Sequence, residues 1–71
     1  MEKYVATGVQ GLILDVVCEG LVWTVYVRFN PRAQLCGDDD DRPFTTNARS
    51  AIEAILKAGY PASNIYTVVQ V

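Results

Sequence analysis

A chain of 71 residues forms one domain at most, and a domain of this length buries only about 60% of the surface that its unfolded form exposes. Its 51% hydrophobic and 20% charged residues argue against disorder. The net charge of −2 argues against general attraction to nucleic acid or anionic membranes, and the absence of histidine excludes the common catalytic triads. We therefore expect a single folded domain, residues 1–71, that binds and does not catalyse.

The strongest local pattern lies between residues 9 and 29, where two runs of β-branched and aromatic residues flank a Glu-Gly dipeptide. This spacing predicts a β-hairpin of two strands, about residues 3–18 and about residues 21–29. Pairing Cys18 with Leu21 gathers apolar side chains on one face, because cross-strand partners share a face. The predicted core face comprises Leu12, Leu14, Val16, Cys18, Leu21, Trp23, Val25 and Val27.

The first predicted strand is long, and it contains two glycines. Gly8 and Gly11 are read as bends or bulges within one continuous strand. After the hairpin, a run of polar and turn-forming residues predicts a loop over about residues 30–44.

The chain changes period after this loop. From Thr45 onward, apolar residues recur at helical spacing, which predicts an amphipathic helix over about residues 46–58 with Thr45 or Thr46 as its N-cap. A Gly and a Pro then end the helix. The tail predicts a last strand over about residues 63–71.

This order predicts an α+β fold of the type β-β-α-β. We expect a three-stranded antiparallel or mixed sheet in the order 2-1-3, with 1-2-3 as the alternative, and one helix on the core face. The opposite face then has no cover, and an exposed apolar patch typically marks an interface. We predict a homodimer formed through the sheet, and the predicted dimer interface consists of Ile13, Val17, Val22 and Tyr26.

Four consecutive aspartates in the loop account for the acidic balance of the chain. Three interpretations stay open for Asp38, Asp39, Asp40 and Asp41: a solvated loop, a docking element for a basic patch on another protein, and a cation site. The cation site is the least favoured, because the ligand spacing of an EF-hand is absent. The sequence therefore predicts no metal and no cofactor.

Other reactive groups give little sign of catalysis. Cys18 and Cys36 do not form a C-x-x-C motif, and Cys18 is predicted to be an inert core residue. Tyr26 and Arg28 form an aromatic–basic pair on the uncovered face and, with the aspartates, are the candidate partner-binding residues. One such pair without a basic groove argues against nucleic-acid binding.

These features predict a small non-enzymatic protein-binding module. In size and acidic composition the chain is similar to small phage-encoded inhibitors of bacterial defence complexes, including anti-CRISPR proteins, which implies action by occluding a partner surface. The alternative is a structural subunit of a homo-oligomer; a metal-regulated or single-stranded nucleic-acid-binding domain is less favoured. Without a signal-peptide pattern or a membrane span, we expect no membrane association and a cytoplasmic location, in a bacterial host if the protein is phage-encoded.

Overall fold

A computed structural model of the protein describes residues 1–31 and 43–71. It contains a five-stranded antiparallel sheet in the order β4-β3-β2-β1-β5, with a helix packed on one face. The α+β class agrees with the prediction, whereas the three-stranded sheet and its order 2-1-3 are wrong. The elements are β1 (Glu2–Gly8), β2 (Ile13–Glu19), β3 (Val22–Phe29), β4 (Phe44–Asn47), α1 (Ala51–Lys57) and β5 (Ile65–Gln70).

The predicted long first strand is two strands joined by a tight turn. A 3-10 turn at Val9–Gly11 reverses the chain, with Gln10 at φ 56° and Gly11 at φ 85°. The N–H of Gly8 donates to the carbonyl of Leu12 at 2.9 Å and closes the turn. Gly11 therefore permits a reversal in place of the predicted bulge, because glycine adopts positive φ without steric cost, whereas Gly8 is extended. As a result β1 pairs antiparallel with β2, and β5 adds to the free side of β1.

The hairpin of β2 and β3 is present, but its register differs from the prediction by two residues. Cys18 pairs with Trp23, and the two-residue turn is Gly20-Leu21 with Gly20 at φ 64°. Glycine at the first turn position suits the tight turns that match the twist of a hairpin. A shift of two leaves every side chain on its predicted face, because side chains alternate with period two. Leu21 is the exception, since it is exposed at the turn and not in the core.

The helix is shorter than predicted, and a strand precedes it. Phe44–Asn47, with its aromatic and β-branched residues, pairs with β3 as strand β4. The helix begins after Ser50, whose Oγ accepts a hydrogen bond from the N–H of Glu53 at 3.3 Å. Ser50 is therefore the N-cap in place of the predicted Thr45 or Thr46. Gly59, at φ 104°, follows the end of the helix as predicted.

The last strand begins later than predicted. A 3-10 turn at Ala62–Asn64 leads into β5, which pairs with β1 and carries an irregularity beside Gly8. This irregularity interrupts the simple alternation, so Ile65 and Val68 are the residues of β5 that pack on the core.

The core lies between α1 and the inner face of the sheet. The helix contacts β2, β3 and β4. Tyr4 packs against the core, and its ring centroid lies 5.6 Å from that of Trp23. The predicted core face is confirmed except for Leu21, with Val27 partly buried. The buried residues are Ala6, Leu12, Leu14, Val16, Cys18, Trp23, Val25, Ala51, Ala54 and Ile55.

Within the described ranges, no helix has the length and apolar character needed to cross a bilayer.

Candidate interaction surface

The face of the sheet opposite α1 carries no helix or strand among the described residues; we call it the open face. It is built by alternation, because every second residue of each strand projects away from the core. The register of the ladders places residues of all five strands side by side across it. The open face comprises Lys3, Val5, Thr7, Ile13, Asp15, Val17, Glu19, Val22, Thr24, Tyr26, Arg28, Thr45, Asn47, Thr67 and Val69.

The centre of the open face is largely apolar. Val5 and Val17 are half-buried and lie diagonally across β1 and β2, and Val69 on β5 lies directly opposite Val5. Tyr26 is 44% exposed and Val22 is 43% exposed on β3. These side chains give the open face an apolar area spread over β1, β2, β3 and β5. Asp15, opposite Val5 and Tyr26, and Thr24, opposite Val17, interrupt it.

One ion pair crosses this apolar area. Arg28 donates from Nε to Oδ2 of Asp15 at 2.9 Å and from its terminal nitrogen to the other carboxylate oxygen. The side chain of Asp15 is only 17% exposed, so the guanidinium covers most of the carboxylate. A two-point contact of this kind satisfies both charges locally. The pair therefore adds no net charge to the open face.

Polar groups surround the apolar centre. The hydroxyls of Thr7 and Thr67 bond to each other across β1 and β5, and Lys3 and Glu19 are exposed at the opposite end of their strands. An apolar centre inside a polar rim is the arrangement found in protein–protein interfaces.

The four residues predicted as a dimer interface all lie on the open face. Ile13 and Val17 are half-buried there, and Val22 and Tyr26 are exposed. Arg28 is also on this face, where it pairs with Asp15. The predicted docking residues Asp38, Asp39, Asp40 and Asp41 lie outside the described residues.

Sequence reasoning missed the part of this surface that comes from β1 and β5. Val5 and Val69 are neighbours across that ladder, but a single long first strand placed no separate β1 at this edge. The signal was present in the segment Gly-Val-Gln-Gly, which separates two extended runs by a short glycine-containing connection typical of a hairpin.

The remaining chemical groups do not assemble a reactive centre within residues 1–31 and 43–71. Cys18 is buried as predicted, and its Sγ donates to the carbonyl of Gly20 at 3.2 Å. In the same ranges no three side chains of the types Cys, Asp or Glu converge as metal ligands would. Cys36 lies outside the described residues.

A hollow of about 150 Å³ opens at the end of the sheet near the β1–β2 turn. Gln10, Asn30, Tyr60 and Asn64 are among its lining residues, and all of them are uncharged. Burial raises the pKa of Tyr60, and a hydrogen bond with Asn30 lowers it by less. The hollow has room for about one small ring.

Comparison with known proteins returns no match: no protein-family model, no curated protein and no solved structure matches this chain.

Proposed function

We propose that the protein is a non-enzymatic protein-binding module and that the open face is its binding surface. The observation that carries this proposal is the exposure of Val22, Tyr26 and Val69 on a face of the sheet that no helix or strand of the described residues covers. Exposed apolar patches on small proteins commonly mark sites where another molecule binds.

Tyr26 and Val22 are the side chains expected to contribute most to binding. Both project from β3 and are exposed, so a partner can bury much of each of them. Tyrosine is enriched among the residues that dominate binding free energy, because it buries a large ring and keeps a polar group at its tip.

The ion pair lowers the desolvation free energy that a partner must overcome when it covers this surface. A partner that covers Arg28 and Asp15 buries a guanidinium and a carboxylate that already satisfy each other. Burial of an isolated charge would oppose binding, since its desolvation would have no compensation. The open face therefore suits a partner with a flat, mainly apolar surface.

In its narrower form the proposal is that the module inhibits a bacterial defence complex by occluding a surface of that complex. This form rests on the likeness in size and acidic composition to phage-encoded inhibitors. It predicts that the captured partner loses activity when the module is bound.

Affinity capture from a bacterial lysate tests the proposal. Wild type is compared with Tyr26→Ser, which shortens an open-face side chain, and with a variant in which the four consecutive aspartates, residues 38–41, are replaced by Asn. We expect the partner to be retained by the Asn variant and lost by Tyr26→Ser. If the Asn variant fails to capture the partner and Tyr26→Ser still captures it, the binding site lies in the aspartate run and the proposal is contradicted.

A further inference from the structure

The outer edge of β5 is a second surface with a definite chemistry. The strands β5 and β4 lie at the two ends of the sheet, so each turns one side of its backbone away from its neighbour. An edge strand offers its N–H and C=O groups to another strand unless charges, proline or a covering segment protect it.

A backbone hydrogen bond shows which groups of β5 face outward. The N–H of Val71 donates to the carbonyl of Lys3 at 2.9 Å, so these two residues form a hydrogen-bonded pair. Hydrogen-bonded and non-hydrogen-bonded pairs alternate along an antiparallel ladder. Val69 therefore also bonds to β1, whereas Val68 and Gln70 turn their N–H and C=O groups away from the sheet.

The two edges of the sheet differ in protection. At β4, which has four residues, the Nζ of Lys57 lies 2.7 Å from the carbonyl oxygen of Asn47, and Pro43 precedes the strand. Lysine and proline are common protective devices on edge strands. The stretch 58–71, which contains β5, has no charged side chain, and its single proline lies before the strand.

We propose that β5 pairs antiparallel with β5 of a second copy of the chain, about a two-fold axis at Val69. In this register Val68 of each copy bonds with Gln70 of the other, so that the outward N–H and C=O groups of these two residues are used in both copies. Val69 then faces its own counterpart, and an exposed apolar side chain becomes covered.

The second copy fits this edge because residues 67–70 carry no charge and no proline, and the irregularity of β5 lies before them, between Ile65 and Thr67. An uncharged strand places no like charges opposite each other about a two-fold axis, and a second copy is always present at the concentration of the first. Pairing would join the sheets of the two copies into one and set their open faces side by side. The inference goes beyond the proposed function, because it concerns the edge and, apart from Val69, leaves the open face free for a partner.

Sedimentation and amide hydrogen exchange, measured over a range of protein concentrations, test the inference. We expect a mass twice the 7.8 kDa of the chain at high concentration. Under the same conditions the amides of Val68 and Gln70 should exchange more slowly than in dilute protein, whereas the Val69 amide, which already bonds to β1, should change less. A protein that stays monomeric, or a dimer in which Val68 and Gln70 exchange at the dilute rate, would overturn the proposal.

A cysteine cross-link tests the register. Val69→Cys in a Cys36→Ser background places two thiols on a non-hydrogen-bonded pair at the axis, where the Cα atoms lie about 4.5 Å apart, within the range of a disulfide. We expect a covalent dimer on mild oxidation. Thr67→Cys in the same background is the control and should stay monomeric under denaturing conditions, because Thr67 lies away from the axis. Cross-linking of Thr67→Cys without Val69→Cys would exclude this register.

Capture of a partner does not depend on β5 pairing. The edge inference and the proposed function can therefore fail separately.

Discussion

Arg28 on β3 and Asp15 on β2 form a two-point ion pair across the open face, with Nε 2.9 Å from Oδ2. The side chain of Arg28 is half-exposed and that of Asp15 is mostly covered. Water screens the half-exposed guanidinium, so the attraction between the two side chains is modest.

The first prediction concerns this pair. In a double-mutant cycle with Asp15→Asn and Arg28→Gln, we expect a coupling free energy of about 0.5 to 1 kcal/mol, measured by urea unfolding. The coupling should shrink when the salt concentration is raised to about 1 M, where the screening length falls to about 3 Å. Strictly additive losses at low salt would mean that the pair does not form in solution.

The second prediction compares two isoleucines of the same helix. Ile55 is fully buried against the sheet, whereas Ile52 is partly exposed. Ile55→Ala should lower the free energy of unfolding by about 2 to 5 kcal/mol, because it leaves a cavity in a thin core. Ile52→Ala is the matched control and should cost much less. Equal losses, seen as equal drops in Tm, would show that α1 packs with a different face.

The third prediction concerns Gly8, where β1 approaches the 3-10 turn before β5. A Cβ at this position would lie 2.1 Å from the carbonyl oxygen of Asn64, which is main chain and cannot rotate away. Gly8→Ala should therefore disrupt the contact between β1 and β5 and lower Tm strongly. Gly20 has open space around it but a φ of 64°.

This difference gives a paired control. Asparagine tolerates positive φ better than other residues with a Cβ, so Gly20→Asn should cost less than Gly20→Ala. At Gly8 the constraint is the steric overlap of any Cβ with the Asn64 carbonyl, so Gly8→Asn should lower Tm at least as much as Gly8→Ala. A rescue by Asn at Gly8 in thermal unfolding would contradict the close approach of Asn64.

The fourth prediction concerns alkaline pH. Burial raises the pKa of Tyr60 above its ordinary value of 10.0. The unfolded chain therefore loses this proton first, and the contribution of Tyr60 to stability is complete below pH 10 and is lost as the pH rises through the folded pKa. Tyr60→Phe should make the free energy of unfolding fall less between pH 9 and pH 11 than in wild type.

Tyr66→Phe is the control for this measurement, because Tyr66 is well exposed on β5. We expect Tyr66→Phe to follow the wild-type pH profile. If Tyr60→Phe also follows the wild-type profile, the phenol of Tyr60 is not desolvated in the fold.

The sequence predicted the inner face of the hairpin better than the number of strands. The residues from Leu12 to Val27 alternate so strongly that the core face is correct even with a register error of two. The turn was misplaced because Glu19-Gly20 and Gly20-Leu21 are both acceptable dipeptides for a short hairpin. Packing, which places Cys18 opposite Trp23, decides between them.

Strand β4 could not be predicted from its own residues alone, because its formation depends on pairing with a distant part of the chain. Phe44–Asn47 is only four residues long and follows a run of polar residues in the sequence, and its pairing with β3 makes it a strand. The Thr-Thr dipeptide could serve as a helix cap or as strand residues, and the Ser50–Glu53 spacing was the better capping signal. The open face could be predicted in its β2 and β3 part, where Ile13, Val17, Val22 and Tyr26 lie.

The central claim is that the open face, and not the helix side, binds a partner. The most direct measurement is the Kd of the captured partner for Val22→Ser and Leu56→Ser, which have similar exposures of 43% and 45% on opposite sides of the molecule. We predict that Val22→Ser weakens binding by about tenfold, as loss of about 1.4 kcal/mol at an interface residue would, while Leu56→Ser binds as wild type does. Weakened binding by Leu56→Ser with an unchanged Kd for Val22→Ser would contradict the claim.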